Sequence, residues 1–172
     1  LAPRDIADLG CGTGYTSERL ALRFPTAHIA AVDFAPAMLN VARSRGRASS
    51  WIAADVQRLP FAPGTMDLVC SSLALQWVGE PDTAFREAHR VLKPEGLFLF
   101  ATFGPDTLME LRAATADLDG HQHVNRFIDM HDLGDALVHA GFSNPVMEME
   151  RLTLTYEALP GLLRDLKAIG AH

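Results

Sequence analysis

The stretch Asp8-Leu9-Gly10-Cys11-Gly12-Thr13-Gly14 constrains this chain more than any other. An apolar run over residues 6–9 leads into it, and a segment with helical spacing follows. Strand, glycine turn and helix in immediate succession is the layout of a nucleotide-handling loop. A backbone leaving a strand and entering a helix within a few residues needs torsions that a Cβ obstructs, and a bare main chain can approach a ligand closely. The N-terminus of the next helix offers free N–H groups and a partial positive charge, which suits an anionic group. The spacing narrows the ligand. A dinucleotide fingerprint runs G-x-G-x-x-G, its third glycine packing helix on strand. Here Gly10, Gly12 and Gly14 alternate, and Tyr15 stands where that third glycine belongs. A nicotinamide dehydrogenase is disfavoured by Tyr15 and by the lack of an obvious hydride-site acid. A tight turn with no ligand is the plain alternative.

The rest of the chain repeats the strand–helix alternation. Strands are expected over residues 4–9, 28–34, 50–56, 66–75 and 97–103, and helices over 16–24, 36–45 and 81–92. The helix at 16–24 stops before Pro25, and Pro36 opens the next in its first turn. The nearly unbroken apolar run at 66–75 reads as a central strand buried on both faces. This alternation argues for a parallel sheet with right-handed crossovers. Beyond Gly104 the pattern loosens. Helices are expected over 106–116, 132–140 and 159–169, a strand over the alternating residues 146–156, and a polar segment over 119–127.

A chain of 172 residues is enough for one domain with a sizeable core. Residues 1–172 are therefore read as one domain. A net charge of −6 gives no global electrostatic case for nucleic acid. No apolar run approaches the roughly 18 residues of a membrane span, and no signal peptide is visible. Cys11 and Cys70 form no disulfide framework, so a cytoplasmic setting is expected. His121 and His123 sit one residue apart without a third ligand in view. They read as solvated, and no metal site is expected. The oligomeric state is left open.

The pattern acidic-x-Gly-x-Gly-x-Gly, beginning at Asp8, resembles the first motif of the class I S-adenosylmethionine-dependent methyltransferases. The turn Leu92-Lys93-Pro94-Glu95-Gly96 resembles their Leu-Lys-Pro-Gly-Gly element, with Glu95 replacing the first glycine. The resemblance implies a Rossmann-like α/β fold, a mostly parallel sheet with helices on both faces. That fold has seven strands and the count here is six, so the expectation is that the last strand and the N-terminal cofactor-covering helix lie outside the chain.

It also implies that S-adenosyl-L-methionine is bound by Asp8, Gly10, Cys11, Gly12, Gly14 and Leu73, with S-adenosyl-L-homocysteine as product. Ligands of open α/β sheets lie at the carboxyl ends of strands. There Asp33 can take both ribose hydroxyls, or else cap the helix starting at Pro36. Phe34 and Met38 can pack on the adenosine, or Met38 can be core. Asp55 can accept the adenine amine while the Val56 N–H meets a ring nitrogen; a turn aspartate is the alternative. Residues 72–77 face the place of the transferable methyl. They hold no strong general-base constellation, which favours a substrate that is already ionised, a carboxylate.

Later runs are more specific. Ser71-Ser72-Leu73-Ala74-Leu75-Gln76-Trp77, Phe103-Gly104-Pro105-Asp106-Thr107-Leu108, Val124-Asn125-Arg126-Phe127-Ile128-Asp129-Met130-His131-Asp132 and the stretch from Leu163 to His172 resemble the malonyl-carrier-protein O-methyltransferase family of biotin synthesis. That resemblance implies methyl esterification of the free carboxylate of a malonyl thioester on acyl carrier protein. Arg126 is then the candidate for orienting the carboxylate, since a guanidinium fork matches it; a surface ion pair with Asp129 is the alternative. Gln76 and Trp77 are candidates to line the transfer tunnel, or Trp77 is core. An acidic carrier calls for a locally basic face, for which Arg43, Arg45, Arg47 and Arg58 are the densest group, unless they only complement a helix C-terminus. Other readings are a methyltransferase of a free small acid or a quinone precursor, or a methyltransferase-fold assembly factor or hydroxylase acting on a protein partner.

Overall fold

Three apolar runs, at residues 6–9, 29–32 and 68–70, are buried on both faces, which only the interior strands of a parallel sheet allow. The computed structural model describes residues 2–116 and 124–168. Its strands are β1 (Asp5–Leu9), β2 (His28–Asp33), β3 (Ser50–Ala53), β4 (Met66–Ser72) and β5 (Leu92–Ala101). Its helices are α1 (Tyr15–Arg23), α2 (Pro36–Arg45), α3 (Pro81–Val91), α4 (Met109–Thr115), α5 (Met130–His139) and α6 (Leu159–Ala168), with a 3₁₀ turn at Leu75–Trp77.

The strands form one sheet in the order β3-β2-β1-β4-β5, with every pair parallel. The order reverses between β1 and β4. In open sheets of this kind ligands bind at the carboxyl ends of the strands, beside such a switch point. Successive side chains of a strand point to opposite faces. Ile6, Ile29, Ala31, Leu68 and Cys70 meet α1 and α2 through Leu20, Leu39 and Ala42. Ala7, Leu9, Val32 and Val69 meet α3 through Ala88 and Val91. Phe85 of α3 is fully buried against Phe98 and Phe100 of β5, beside Leu133 and Leu137 of α5. Helices thus cover both faces, as expected.

Several boundaries differ from the sequence reading. β3 stops at Ala53, so Asp55 and Val56 lie in the following turn rather than on the strand. β4 stops at Ser72 because Leu73 adopts a left-handed φ of 51° and the chain then turns into the 3₁₀ segment. Residues 93–96, expected as a turn, sit inside β5 as a bulge. Met66 pairs Leu92 and Leu68 pairs Leu97, so the β5 side carries extra residues. Glu95 holds a φ of 63° within it.

Residues 146–156, expected as a sixth strand, form no ladder, and among the described residues the sheet has five strands. Alternation measures fitness for a pleated surface, not the presence of a neighbour. Val146, Leu152 and Leu154 are left largely exposed. His121 and His123 lie outside the described residues. Among the described residues no cluster suits a metal ion, and no helix is long and apolar enough to cross a membrane.

Candidate functional site

The loop between β1 and α1 is built by three left-handed glycines, with φ of 66° at Gly10, 53° at Gly12 and 83° at Gly14. Two of them are also demanded by packing. A Cβ on Gly10 would lie 2.2 Å from the Ala74 Cβ, and one on Gly14 would lie 3.1 Å from the Ala42 Cα. Gly12 differs, since a Cβ there would meet nothing within 4 Å. Its left-handed backbone faces open space, the arrangement a close-lying ligand requires. The Cys11 N–H donates to the Val32 carbonyl (2.9 Å), and the Gly14 N–H to the Cys11 carbonyl (2.9 Å), so the loop is tied to β2 as well as to itself. The Arg45 Nε closes its outer edge on the Thr13 carbonyl at 2.8 Å.

Asp33, at the end of β2, accepts from the Gly12 N–H through Oδ2 (2.8 Å) and from the Ala35 N–H through Oδ1 (2.8 Å). It therefore fixes the glycine loop. It is not the cap of α2, a place held by Ala35 with no side-chain bond. Each carboxylate oxygen keeps a free lone pair. Beside it Phe34 is 77% exposed and Met38 42% exposed, so neither is core. Tyr15, the first residue of α1, is exposed as well. Large apolar groups left in water beside one another mark a contact surface.

Asp55 accepts from the Gln57 N–H (2.9 Å) and from its side-chain amide, so it is a turn aspartate in this structure. Val56 packs with the α3 side of the core.

Asp8 lies beneath the loop. It is 1% exposed, and its Oδ2 accepts from the Ser17 hydroxyl at 2.5 Å while Oδ1 is buried without a partner. Burial raises its carboxyl to about 6, against the lowering effect of the Ser17 hydroxyl and backbone N–H and with a further push from Asp33. The acidic position of the motif thus clamps β1 to the first turn of α1. Burial likewise pushes the Cys11 and Cys70 thiols up to about 12. Cys11 contributes its backbone to the loop and buries its side chain.

The far wall begins where β4 ends. Leu73 is half exposed in its left-handed conformation, and its N–H donates to the Ala101 carbonyl at 2.9 Å. Strain of this kind in a bulky residue concentrates at functional sites. The Gln76 amide donates to the Leu73 carbonyl (2.6 Å) and accepts from the Thr102 hydroxyl (3.4 Å). Trp77 is 46% exposed and so is not core. Arg126 is exposed and makes no hydrogen bond or ion pair with the described residues. The alternative partner, Asp129, is instead the N-cap of α5, accepting from the His131 N–H and ring. No bond links Arg126 directly to Gln76 or Trp77 among the described residues.

A cleft of about 450 Å³ lies elsewhere, between the start of α3 and α5. Phe85, Ile128 and Leu133 line it, and Glu80, Asp82 and Asp132 outnumber Arg86 at its rim. That charge balance is wrong for an anionic substrate.

Sequence reasoning missed Ser17, Ala74, Thr102 and Arg112. Ser17 carried a signal, a small hydroxyl in the first turn of a helix that follows an acidic strand end. The others act across gaps in sequence that no local pattern reports.

The chain matches the model of the methyltransferase domain family over residues 7–100. It is 51% identical over 182 residues to the malonyl-[acyl-carrier protein] O-methyltransferase of Laribacter hongkongensis, covering 99% of this chain and 61% of that protein. It is 50% identical to the protein of that name from Gallionella capsiferriformans, covering 100% of this chain and 62% of the relative. The chain therefore spans about three fifths of the length of these relatives. Among solved structures it resembles an S-adenosylmethionine-dependent methyltransferase from Mesorhizobium loti, with 27% identity and a TM-score of 0.65 over 83% of this chain and 74% of that one.

Proposed function

The chain belongs to the methyltransferase domain family, and from that premise we propose that it esterifies the free carboxylate of a malonyl thioester carried on acyl carrier protein. Residues 1–172 act in this reading as one S-adenosylmethionine-binding domain. The observation that carries it is the half-identity to the two malonyl-[acyl-carrier protein] O-methyltransferases along practically the whole chain. The site's chemistry supports it independently. Residues 72–78 contain no titratable side chain. A hydroxyl, amine or carbon nucleophile would need a base there, whereas a carboxylate is ionised at neutral pH.

The residues present fit S-adenosylmethionine. The open space over Gly12 is a cradle that a Cβ would fill, and the Asp33 carboxylate beside it has acceptor capacity to spare. In this reading the backbone of Gly10, Cys11, Gly12 and Gly14 cradles the methionine portion, with Asp8 holding the loop from below. Asp33 accepts the ribose hydroxyls. Phe34 and Met38 lie on the adenosine, Asp55 and the Val56 N–H meet the adenine edge, and Leu73 closes the far side. When bound, this group supplies an electrophilic methyl and is released as S-adenosylhomocysteine. Gln76 and Trp77 line the approach and exclude water, and Arg126 orients the substrate carboxylate through its guanidinium fork. Arg43, Arg47 and Arg58 are exposed and available to an acidic carrier, whereas Arg45 is engaged with Thr13 and Glu18.

The test mixes the full-length protein with S-adenosylmethionine and either malonyl-carrier-protein or free malonate, following each by mass for one added methyl. Methylation of the carrier-bound acid, with S-adenosylhomocysteine formed in step, is the expected result. Methylation of free malonate alone would remove the carrier. Methylation that Arg126→Ala leaves unchanged would keep the enzyme and remove the carboxylate clamp.

A further inference from the structure

Arg112 of α4 was not among the residues singled out by motif, yet it makes an unusual set of bonds. Its Nη1 donates to the Pro105 carbonyl (3.0 Å), and its Nη2 donates to the carbonyls of Thr107 (2.9 Å) and Asn125 (3.4 Å). Its Nε–H is buried without a partner. It forms no salt bridge among the described residues. One guanidinium is thus devoted to three backbone carbonyls in two segments distant in sequence, the loop after β5 and the stretch that carries Arg126. A planar fork of fixed N–H directions can do this; an ammonium offers a point charge without it.

The same loop is held at both ends. The Thr102 hydroxyl donates to Gln76, Phe103 packs its ring on Phe127 at 5.4 Å between centroids, and Arg151 pairs with Asp106. A continuous path of contacts therefore runs from Leu73 and Gln76 at the end of β4, through Thr102 and the loop, to Arg112 and on to Asn125, next to Arg126.

We propose that Arg112 is a positioning residue for the substrate side of the site: its fork pins the Asn125–Arg126 backbone to the loop after β5 and so sets where Arg126 presents its charge to the carboxylate of the acyl thioester. The assignment rests on the carboxylate reading of Arg126 given above. Arg112 touches neither substrate nor cofactor and acts through the backbone of its neighbour.

The test compares wild-type and Arg112→Lys full-length protein in three measurements. Amide hydrogen exchange of a peptide covering residues 124–128 is expected to speed up about tenfold or more in the variant, with β1–α1 peptides unchanged. Calorimetric binding of S-adenosylmethionine is expected to stay within about twofold. With malonyl-carrier-protein, KM is expected to rise about tenfold, with a smaller change in kcat. Unchanged exchange at 124–128 overturns the pin. Faster exchange with KM unaltered overturns its role in positioning. Faster exchange everywhere, with weakened cofactor binding, assigns Arg112 to general stability and also overturns the proposal. A wild-type protein that binds cofactor yet methylates no malonyl species overturns the carboxylate reading and the positioning role with it, while the exchange measurement still decides whether the pin exists.

Discussion

Replacing Gly12 by alanine separates what the glycine loop does for folding from what it does for binding. Gly12 has a φ of 53°, and a Cβ there meets nothing within 4 Å. The added methyl costs only the left-handed backbone penalty, about 1 kcal/mol. In a chain of this size that lowers Tm by about 2–4 °C. The Gly12 N–H still reaches Asp33, so the loop keeps its anchor. The open space over Gly12 is where the proposed cofactor would lie, and the methyl would take that space. Affinity for S-adenosylmethionine should therefore fall at least tenfold, about 1.4 kcal/mol.

Gly10 supplies the contrast. Its Cβ would stand 2.2 Å from the Ala74 Cβ at a φ of 66°. Overpacking adds about 1–3 kcal/mol to the backbone strain. Gly10→Ala should lose stability before it loses anything else, and Ala74→Gly in the same chain should return most of the packing part. Thermal unfolding without ligand and titration calorimetry with S-adenosylmethionine measure the two effects separately. A Gly12→Ala protein that binds the cofactor as tightly as wild type would refute the placement of the ligand. A fall in Tm as large as that of Gly10→Ala would refute the openness of the space.

Three other outcomes are expected. The carboxyl of Asp8 is raised from 3.8 to about 6 by burial, so between those values the folded chain holds a proton that the unfolded chain has released. Its ionisation lowers stability as pH rises through that window, by roughly 3 kcal/mol in full by pH 7. The urea-derived difference between wild type and Asp8→Asn should swing by that order between pH 4 and 7, and a flat difference would remove the argument. Glu95, at a φ of 63°, carries left-handed strain that glycine does not; Glu95→Gly should raise stability by about 1 kcal/mol, and a lower denaturation midpoint would count against it. With their thiols pushed up to about 12, Cys11 and Cys70 should react with alkylating reagents at pH 8 only as urea opens the fold, whereas prompt labelling of the native protein would contradict their burial.

The glycine loop of the proposed cofactor site was legible because its backbone requirements are local. Gly10, Gly12 and Gly14 are forced by backbone torsions within one turn, and Asp33 is placed by the length of one strand–helix–strand unit. The Leu92–Gly96 element was legible as a pattern but misread as a turn, because a bulge inside a strand and a tight turn call for the same residues. Residues 146–156 show the converse failure. Alternation there is genuine, but a strand needs a neighbour, and a neighbour is not a local property. Asp8 was read as part of the binding loop, whereas the structure gives its side chain to Ser17, nine residues away, on the buried side. Motif position located the residue and could not report which way it faces.

The proposed substrate half resisted reading for a reason that also bears on how it would work. Its bonds cross long gaps in sequence: Thr102 to Gln76 and Arg151 to Asp106 between side chains, and Arg112 to the Asn125 carbonyl. Only the tertiary fold brings the partners together. The two sides of the proposed site are consequently held by different means. Around Gly12 the geometry is written into main-chain torsions and tied to the sheet by Cys11 and Asp33, so few substitutions can move it without unfolding the loop. Around Arg126 the geometry depends on one guanidinium fork and a set of exposed contacts, which a single substitution can reset while the sheet stands. Under the proposed function, a fold held in this way can keep one methyl donor and change what the methyl is given to, through the residues of the post-β5 loop and its Arg112 pin rather than those of the glycine motif.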